Sequence, residues 1–285
     1  MGKSLHYLDV GSGFPFLLGH SYLFDLNMWA PQFEALAKRY RLIVPDLWGH
    51  GDSPALPAGR NSLSDIAADH LALMDHLDIE EFGIVGLSVG GMWGAELAAL
   101  APERVKVLAL MDSYLGDETP EARQRYMGML AAVEQAGTIT SPLLEYIAAQ
   151  FYSDEVPDAL SQPLLAHLQS LPAARLRESI VPLGRMIFGR PDKLPLLENI
   201  TAASIVITGA QDKPRPQAEG QRMADLLGCQ HVLIPNAGHI SNKENPAAVN
   251  ETLLAFLAEN TTPLFWEDSP GRLARRFSSP ALIDR

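Results

Sequence analysis

Short apolar runs punctuate the chain at His6–Val10, Phe14–Leu18, Leu42–Pro45, Phe82–Leu87, Val105–Met111, Ser204–Thr208 and His231–Ile234. Most are near-continuous and rich in Val, Ile and Leu, the composition of strands covered on both faces of a sheet. Between them the apolar positions recur at helical spacing. Leu63, Ile66, Ala67, His70, Leu71, Met74 and Leu77 make the longest such stripe, with Ser62 or Ser64 placed to cap its start. Trp29, Phe33, Leu36 and Ala37 make a shorter one, and Val249, Leu253, Phe256 and Leu257 another. Strands alternating with helices predict an α/β protein with a mainly parallel sheet.

One stretch breaks the alternation. From Gly116 to Glu198 no run reads as a strand, and three helical faces follow one another. Tyr126, Met129, Leu130 and Val133 line the first, Leu143, Leu144, Ile147 and Phe151 the second, and Leu160, Leu164, Leu168 and Leu171 the third. Prolines between and within these pieces mark their ends. The stretch reads as a helical insertion over one end of the sheet, with ordinary layer helices as the plainer alternative. The expected organisation is a core α/β domain over 1–115 and 199–260, a helical cap over 116–198 and a tail over 261–285. In the tail, Leu264, Phe265 and Trp266 are expected to dock on the domain, and Arg272, Arg275 and Arg276 to form a solvated face.

Composition narrows the function classes. The chain has 285 residues, 47% of them hydrophobic and 20% charged, with a net charge of −12. That is ordinary for a globular protein, and the acidity argues against nucleic-acid binding. The one cysteine, Cys229, precedes an apolar run and reads as a buried, inert thiol. No Cys/His spacing suggests a metal site. The first residues lack a signal-peptide run, and no apolar stretch approaches the ~18 residues of a membrane span. A cytoplasmic location, no membrane contact, no metal and no cofactor are the expectations.

The chemistry gathers at three places. Gly86-Leu87-Ser88-Val89-Gly90 joins the run Phe82–Leu87 to a segment that reads as a helix. A serine on a sharp strand-to-helix turn, with glycines at both second neighbours, is presented as a nucleophile. Serine needs a base, and the base needs an orienting acid. His239 follows the run His231–Ile234 and so sits on a loop at a strand's C-terminal end, where doubly wound sheets place their ligands. Asp212 follows another strand-like run and is the acid candidate. Asp112, which ends the run Val105–Met111, is its rival.

With these residues in view, the chain resembles the α/β-hydrolase fold family over roughly residues 5–260. Four landmarks carry the resemblance. They are Leu17-Leu18-Gly19-His20-Ser21-Tyr22 ahead of Met28-Trp29, then Asp46-Leu47-Trp48-Gly49-His50-Gly51-Asp52-Ser53, then the turn at Ser88. The last is the pair Gly209-Ala210-Gln211-Asp212 and Ala237-Gly238-His239. The order Ser88, Asp212, His239 is that family's order of nucleophile, acid and base. The resemblance implies a doubly wound, mainly parallel sheet with an inserted helical cap, and an oxyanion hole made by the backbone N–H groups of Tyr22 and Val89. Ser21 departs from the family's pattern, where glycine is usual; its hydroxyl either adds a donor or satisfies nearby backbone. His20 and His50 are expected to hold loops. Relatives with an aspartate nucleophile are set aside because the position is Ser88.

The expected activity is hydrolysis of a small, hydrophobic carboxylic ester or lactone through an acyl-enzyme on Ser88, as in carboxylesterases and enol-lactonases. The alternatives are a ligand-sensing protein on the same fold, or a cofactor-free lyase or oxygenase using His239 as a base. Tyr126, Met127, Met129, Phe151, Tyr152, Met186, Ile187 and Phe188 supply the candidate pocket lining. An acidic substrate would need a cation, for which Arg123, Arg125, Arg185 and Arg190 are the candidates. A small-molecule substrate is the expected partner, with a homo-oligomer as a further possibility.

Overall fold

The computed structural model describes residues 4–261; the expectations for Leu264, Phe265, Trp266, Arg272, Arg275 and Arg276 lie outside the described residues. Strands β1 (Tyr7–Gly11), β2 (Pro15–Gly19), β3 (Arg41–Pro45), β4 (Phe82–Leu87), β5 (Val105–Met111), β6 (Ala203–Gly209) and β7 (Gln230–Ile234) form one sheet. Their order across it is β1-β3-β2-β4-β5-β6-β7. Only β1 runs antiparallel, against β3; every other pairing is parallel. The central strands β2 and β4 are buried at every position, which is why their sequences are unbroken apolar runs. The edge strands depart from this pattern: β1 and β7 are half-exposed, and Leu233 in β7 is 43% exposed.

The longer helices are α1 (Ala30–Leu36), α2 (Leu63–His76), α3 (Val89–Leu100), α4 (Pro120–Ala136), α5 (Leu143–Phe151), α6 (Asp158–Ser170), α7 (Val181–Phe188), α8 (Gln217–Leu227) and α9 (Pro246–Asn260). α1 packs on α9 at one face of the sheet. At the other, α2 packs on α3, and α3 and α8 both meet the turn Leu194–Asn199. Of the two candidate caps for α2, Ser62 is the one used. Its side chain accepts the Asp65 N–H while the Asp65 carboxylate accepts the Ser62 N–H, a reciprocal capping box.

Between β5 and β6 the chain is helical. α4 packs on α7 and α5 on α6, over the C-terminal ends of the strands. Thr119 caps the start of α4 and Gly137, at φ 68°, closes its end. The segment leading into α7 is irregular: Leu176–Ile180 forms a π-turn in which the Val181 N–H reaches back to the Leu176 carbonyl.

Cys229 is half-buried rather than buried; partial burial pushes its thiol up to about 11, which leaves it unreactive near neutral pH. Among the described residues, no helix is long and apolar enough to cross a membrane, and no group of His, Cys, Asp and Glu is arranged to hold a metal ion.

Candidate active site

β4 ends one residue before Ser88, and α3 begins one residue after it. The turn between them is sharp because Ser88 adopts φ 57° and ψ −119°, outside the regions ordinary residues prefer. The Ser88 N–H donates to the Met111 carbonyl at 2.8 Å, and the Ser113 hydroxyl donates to the Ser88 carbonyl at 2.8 Å. The flanking glycines are required by close approach. A Cβ on Gly86 would lie 2.3 Å from the Gly90 carbonyl oxygen, and one on Gly90 would lie 2.2 Å from that of Gly19. The strained turn therefore rests on backbone-to-backbone contact between β2, β4 and α3.

The three chemistry-bearing residues converge. Ser88 Oγ lies 2.9 Å from His239 Nε2, and His239 Nδ1 lies 2.9 Å and 3.1 Å from the two carboxylate oxygens of Asp212. All three side chains are buried. Asp212 is held in turn by the Arg215 N–H, which donates to its Oδ1 at 3.0 Å.

Asp112 does not bond the imidazole. It too is fully buried, at φ 46°; its Oδ1 accepts the Gly209 N–H at 2.7 Å and its Oδ2 meets the Ser241 hydroxyl at 2.5 Å. It therefore ties the end of β5 to the two loops that carry Asp212 and His239. Burial first, and the neighbouring Asp212 charge second, push the Asp112 carboxyl well above the usual carboxylate range.

The loop after β2 lies beside Ser88. Among the described residues, the Tyr22 N–H and the Val89 N–H donate to no protein acceptor, which leaves both free for a ligand oxygen. Two histidines fix this loop. His20 donates from Nδ1 to the Ser21 carbonyl and accepts the Leu47 N–H at 2.9 Å; His50 donates to the Trp48 carbonyl and accepts the Leu23 N–H at 3.1 Å. Burial pushes His20 down to about 4 and His50 to about 3, so both are neutral rings used as one donor and one acceptor. Ser21 does not satisfy nearby backbone: its hydroxyl is fully buried and, among the described residues, has no hydrogen-bond partner.

Above Ser88 and His239 lies a cavity of about 900 Å³, its open mouth included. Tyr126, Met129, Phe151, Ile187 and Phe188 line it as expected, whereas Met127, Tyr152 and Met186 do not. Tyr22 lines it as well, but its hydroxyl is taken up, donating to the Ile180 carbonyl in the π-turn at 2.7 Å. None of the four candidate arginines faces the cavity. Arg185 pairs with Glu134 on the outside, Arg123 with Asp117, Arg125 is exposed over the Tyr126 ring, and Arg190 is buried against Glu118. The cation that does line it is Arg215, which no motif in the sequence singles out.

Known proteins share this fold. The family model described as alpha/beta hydrolase fold matches residues 15–246. The chain belongs to the α/β-hydrolase fold family. It is 29% identical, over 91% of its length and 68% of the relative's, to a Pseudomonas putida protein named dihydrolipoyllysine-residue acetyltransferase component of acetoin cleaving system. It is 28% identical, over 82% of its length and 84% of the relative's, to 3-oxoadipate enol-lactonase 2 of Acinetobacter baylyi. Among solved structures, a thermophilic esterase from Thermogutta terrifontis superposes with a TM-score of 0.81 at 27% identity, covering 90% of this chain and 94% of that one.

Proposed function

We propose that the protein is a serine hydrolase that cleaves a small carboxylic ester or lactone through an acyl-enzyme on Ser88. The observation that carries this reading is the continuous hydrogen-bonded chain from Ser88 through His239 to Asp212 at the floor of an apolar cavity. In the reaction, His239 Nε2 takes the Ser88 hydroxyl proton as Oγ attacks the substrate carbonyl carbon. Asp212 holds the imidazole in the tautomer that leaves Nε2 free, and it stabilises the imidazolium that forms. The carbonyl oxygen becomes an oxyanion, held by the Tyr22 and Val89 N–H groups; one such donor contributes about 2.7–4 kcal/mol at the transition state. Collapse breaks the bond to the alkoxide oxygen, which takes the proton from His239. Water then attacks the acyl-enzyme, gives its proton to His239, and Ser88 regains that proton as the carboxylic acid leaves.

An enzyme of this kind reacts with a fluorophosphonate probe and releases nitrophenolate from p-nitrophenyl acetate. Both should vanish in Ser88→Ala, with a loss of turnover of about 10³-fold or more. Turnover that survives in Ser88→Ala would overturn the acyl-enzyme and favour proton-transfer chemistry at His239. Labelling without turnover would favour a sensor.

A further inference from the structure

Arg215 lines the cavity together with Ser88 and His239, yet its guanidinium is already paired with carboxylates. Its Nη2 donates to Glu118 and its Nη1 to Glu219, the latter at 3.2 Å. Glu118 also accepts from Arg190 Nη1 at 2.9 Å. Glu118 precedes α4, Arg190 follows α7, and Arg215 and Glu219 come from the segment after β6. The cluster therefore holds both ends of the helical segment 120–188 against the loop that presents Asp212. It contains two guanidinium and two carboxylate groups, so its formal charges cancel.

The rest of the lining offers no other counterion for an anion. Among the described lining residues, the only other side chain that could carry positive charge is His239, already bonded to Ser88 and Asp212. The Tyr22 hydroxyl is bonded to the Ile180 carbonyl, most of the surrounding residues, such as Met129, Leu130, Ile139 and Phe188, are apolar, and Tyr126, Tyr146 and Gln150 bring only neutral polar groups. A carboxylate placed there would lose its hydration without gaining an ion pair, and the net charge of −12 on the whole chain adds repulsion.

Resting on the hydrolase reading above, we infer that Arg215, neutralised by Glu118 and Glu219, is a specificity-determining residue that restricts the enzyme to esters with an uncharged acyl group. Removing either glutamate would leave one positive charge of the cluster unbalanced beside the cavity wall and admit a carboxylated acyl chain.

Three substrates test this on the full chain: p-nitrophenyl hexanoate, mono-p-nitrophenyl adipate, and its neutral methyl ester. All release the same leaving group, and the methyl ester separates charge from length. The wild type should favour both neutral esters over the carboxylated one by about 100-fold in kcat/KM, the scale of an unpaired buried charge. Glu118→Gln and, on the more open side of the cluster, Glu219→Gln should narrow that ratio about tenfold, with circular dichroism showing that each remains folded. Glu219 is 27% exposed, so its variant should tolerate the change even where Glu118→Gln unfolds. A wild-type ratio below about tenfold overturns the inference. An unchanged ratio in a folded Glu219→Gln overturns the role of Arg215. Absence of Ser88-dependent release from all three esters overturns the hydrolase reading itself, and this inference with it.

Discussion

Two carboxylates reach the loops around His239, and their environments give them different work. Asp212 places both oxygens on the Nδ1 of the imidazole and draws a further N–H from Arg215. Asp112 spends its oxygens on Gly209 and Ser241, and burial beside Asp212 keeps its proton on to a pH well above that of an ordinary carboxyl. The first arrangement suits a charged group that stabilises an imidazolium; the second suits a neutral strut. Asn can replace a strut, because its carbonyl still accepts the Gly209 N–H and its amide can donate to Ser241. Asn cannot replace a carboxylate facing Nδ1, because it stabilises the wrong tautomer. Asp212→Asn should therefore lower kcat by about 10⁴-fold. Asp112→Asn should cost less than about tenfold, the scale of one retained neutral hydrogen bond. Steady-state kinetics of the two variants decide it; the reverse ranking would move the acid to Asp112.

At the scale of elements, one of the contacts that seat the helical segment over the sheet has no mark in the sequence. The π-turn Leu176–Ile180 puts an extra residue into the helical ladder, and the Ile180 carbonyl accepts the buried Tyr22 hydroxyl. Tyr22→Phe leaves that carbonyl without its donor, a cost of about 1–3 kcal/mol. Urea unfolding should show that loss, and an unchanged midpoint would mean the contact contributes nothing. The strands and the turn at Ser88 were legible because local composition specifies them: β4 is apolar throughout, and glycines flank the one strained serine. The candidate site was legible to the same depth, since Ser88, Asp212 and His239 each follow a strand-like run. What escaped was set by distant partners. Leu176–Ile180 keeps ordinary helical spacing, so the bulge has no local mark. Arg215 lies just past Asp212, and the glutamate that fixes its meaning is 97 residues away. Met186 and Tyr152 carry the right chemistry for a pocket wall, but the packing of α7 and α5 turns them elsewhere.

For the molecule as a whole, the same two histidines that hold the Tyr22 loop should contribute to its response to acid. His20 and His50 are buried and neutral, with pKa values pushed down to about 4 and about 3 by loss of hydration. In the unfolded chain each titrates near ~6.5. Below that pH the unfolded state binds protons that the folded state refuses, so the free energy of unfolding falls as pH falls. The stabilising effect of each neutral ring is complete above about pH 6.5 and is lost progressively down to its folded pKa, at about 1.4 kcal/mol per pH unit per histidine. The rings are neighbours, 5.6 Å apart, and each would repel a proton on the other, which strengthens the trend. His50→Gln keeps one donor and one acceptor but cannot titrate. Unfolding free energies from urea titrations at pH 7, 6, 5 and 4 should fall less steeply for this variant than for the wild type, by about that slope for one histidine. Carboxylates elsewhere contribute equally to both proteins and cancel in the difference. Parallel curves for the two proteins would mean that His50 takes up its proton in the folded state at the same pH as in the unfolded one, and that in acid the Leu23 N–H, and with it the Tyr22 loop, is held by something other than a neutral imidazole.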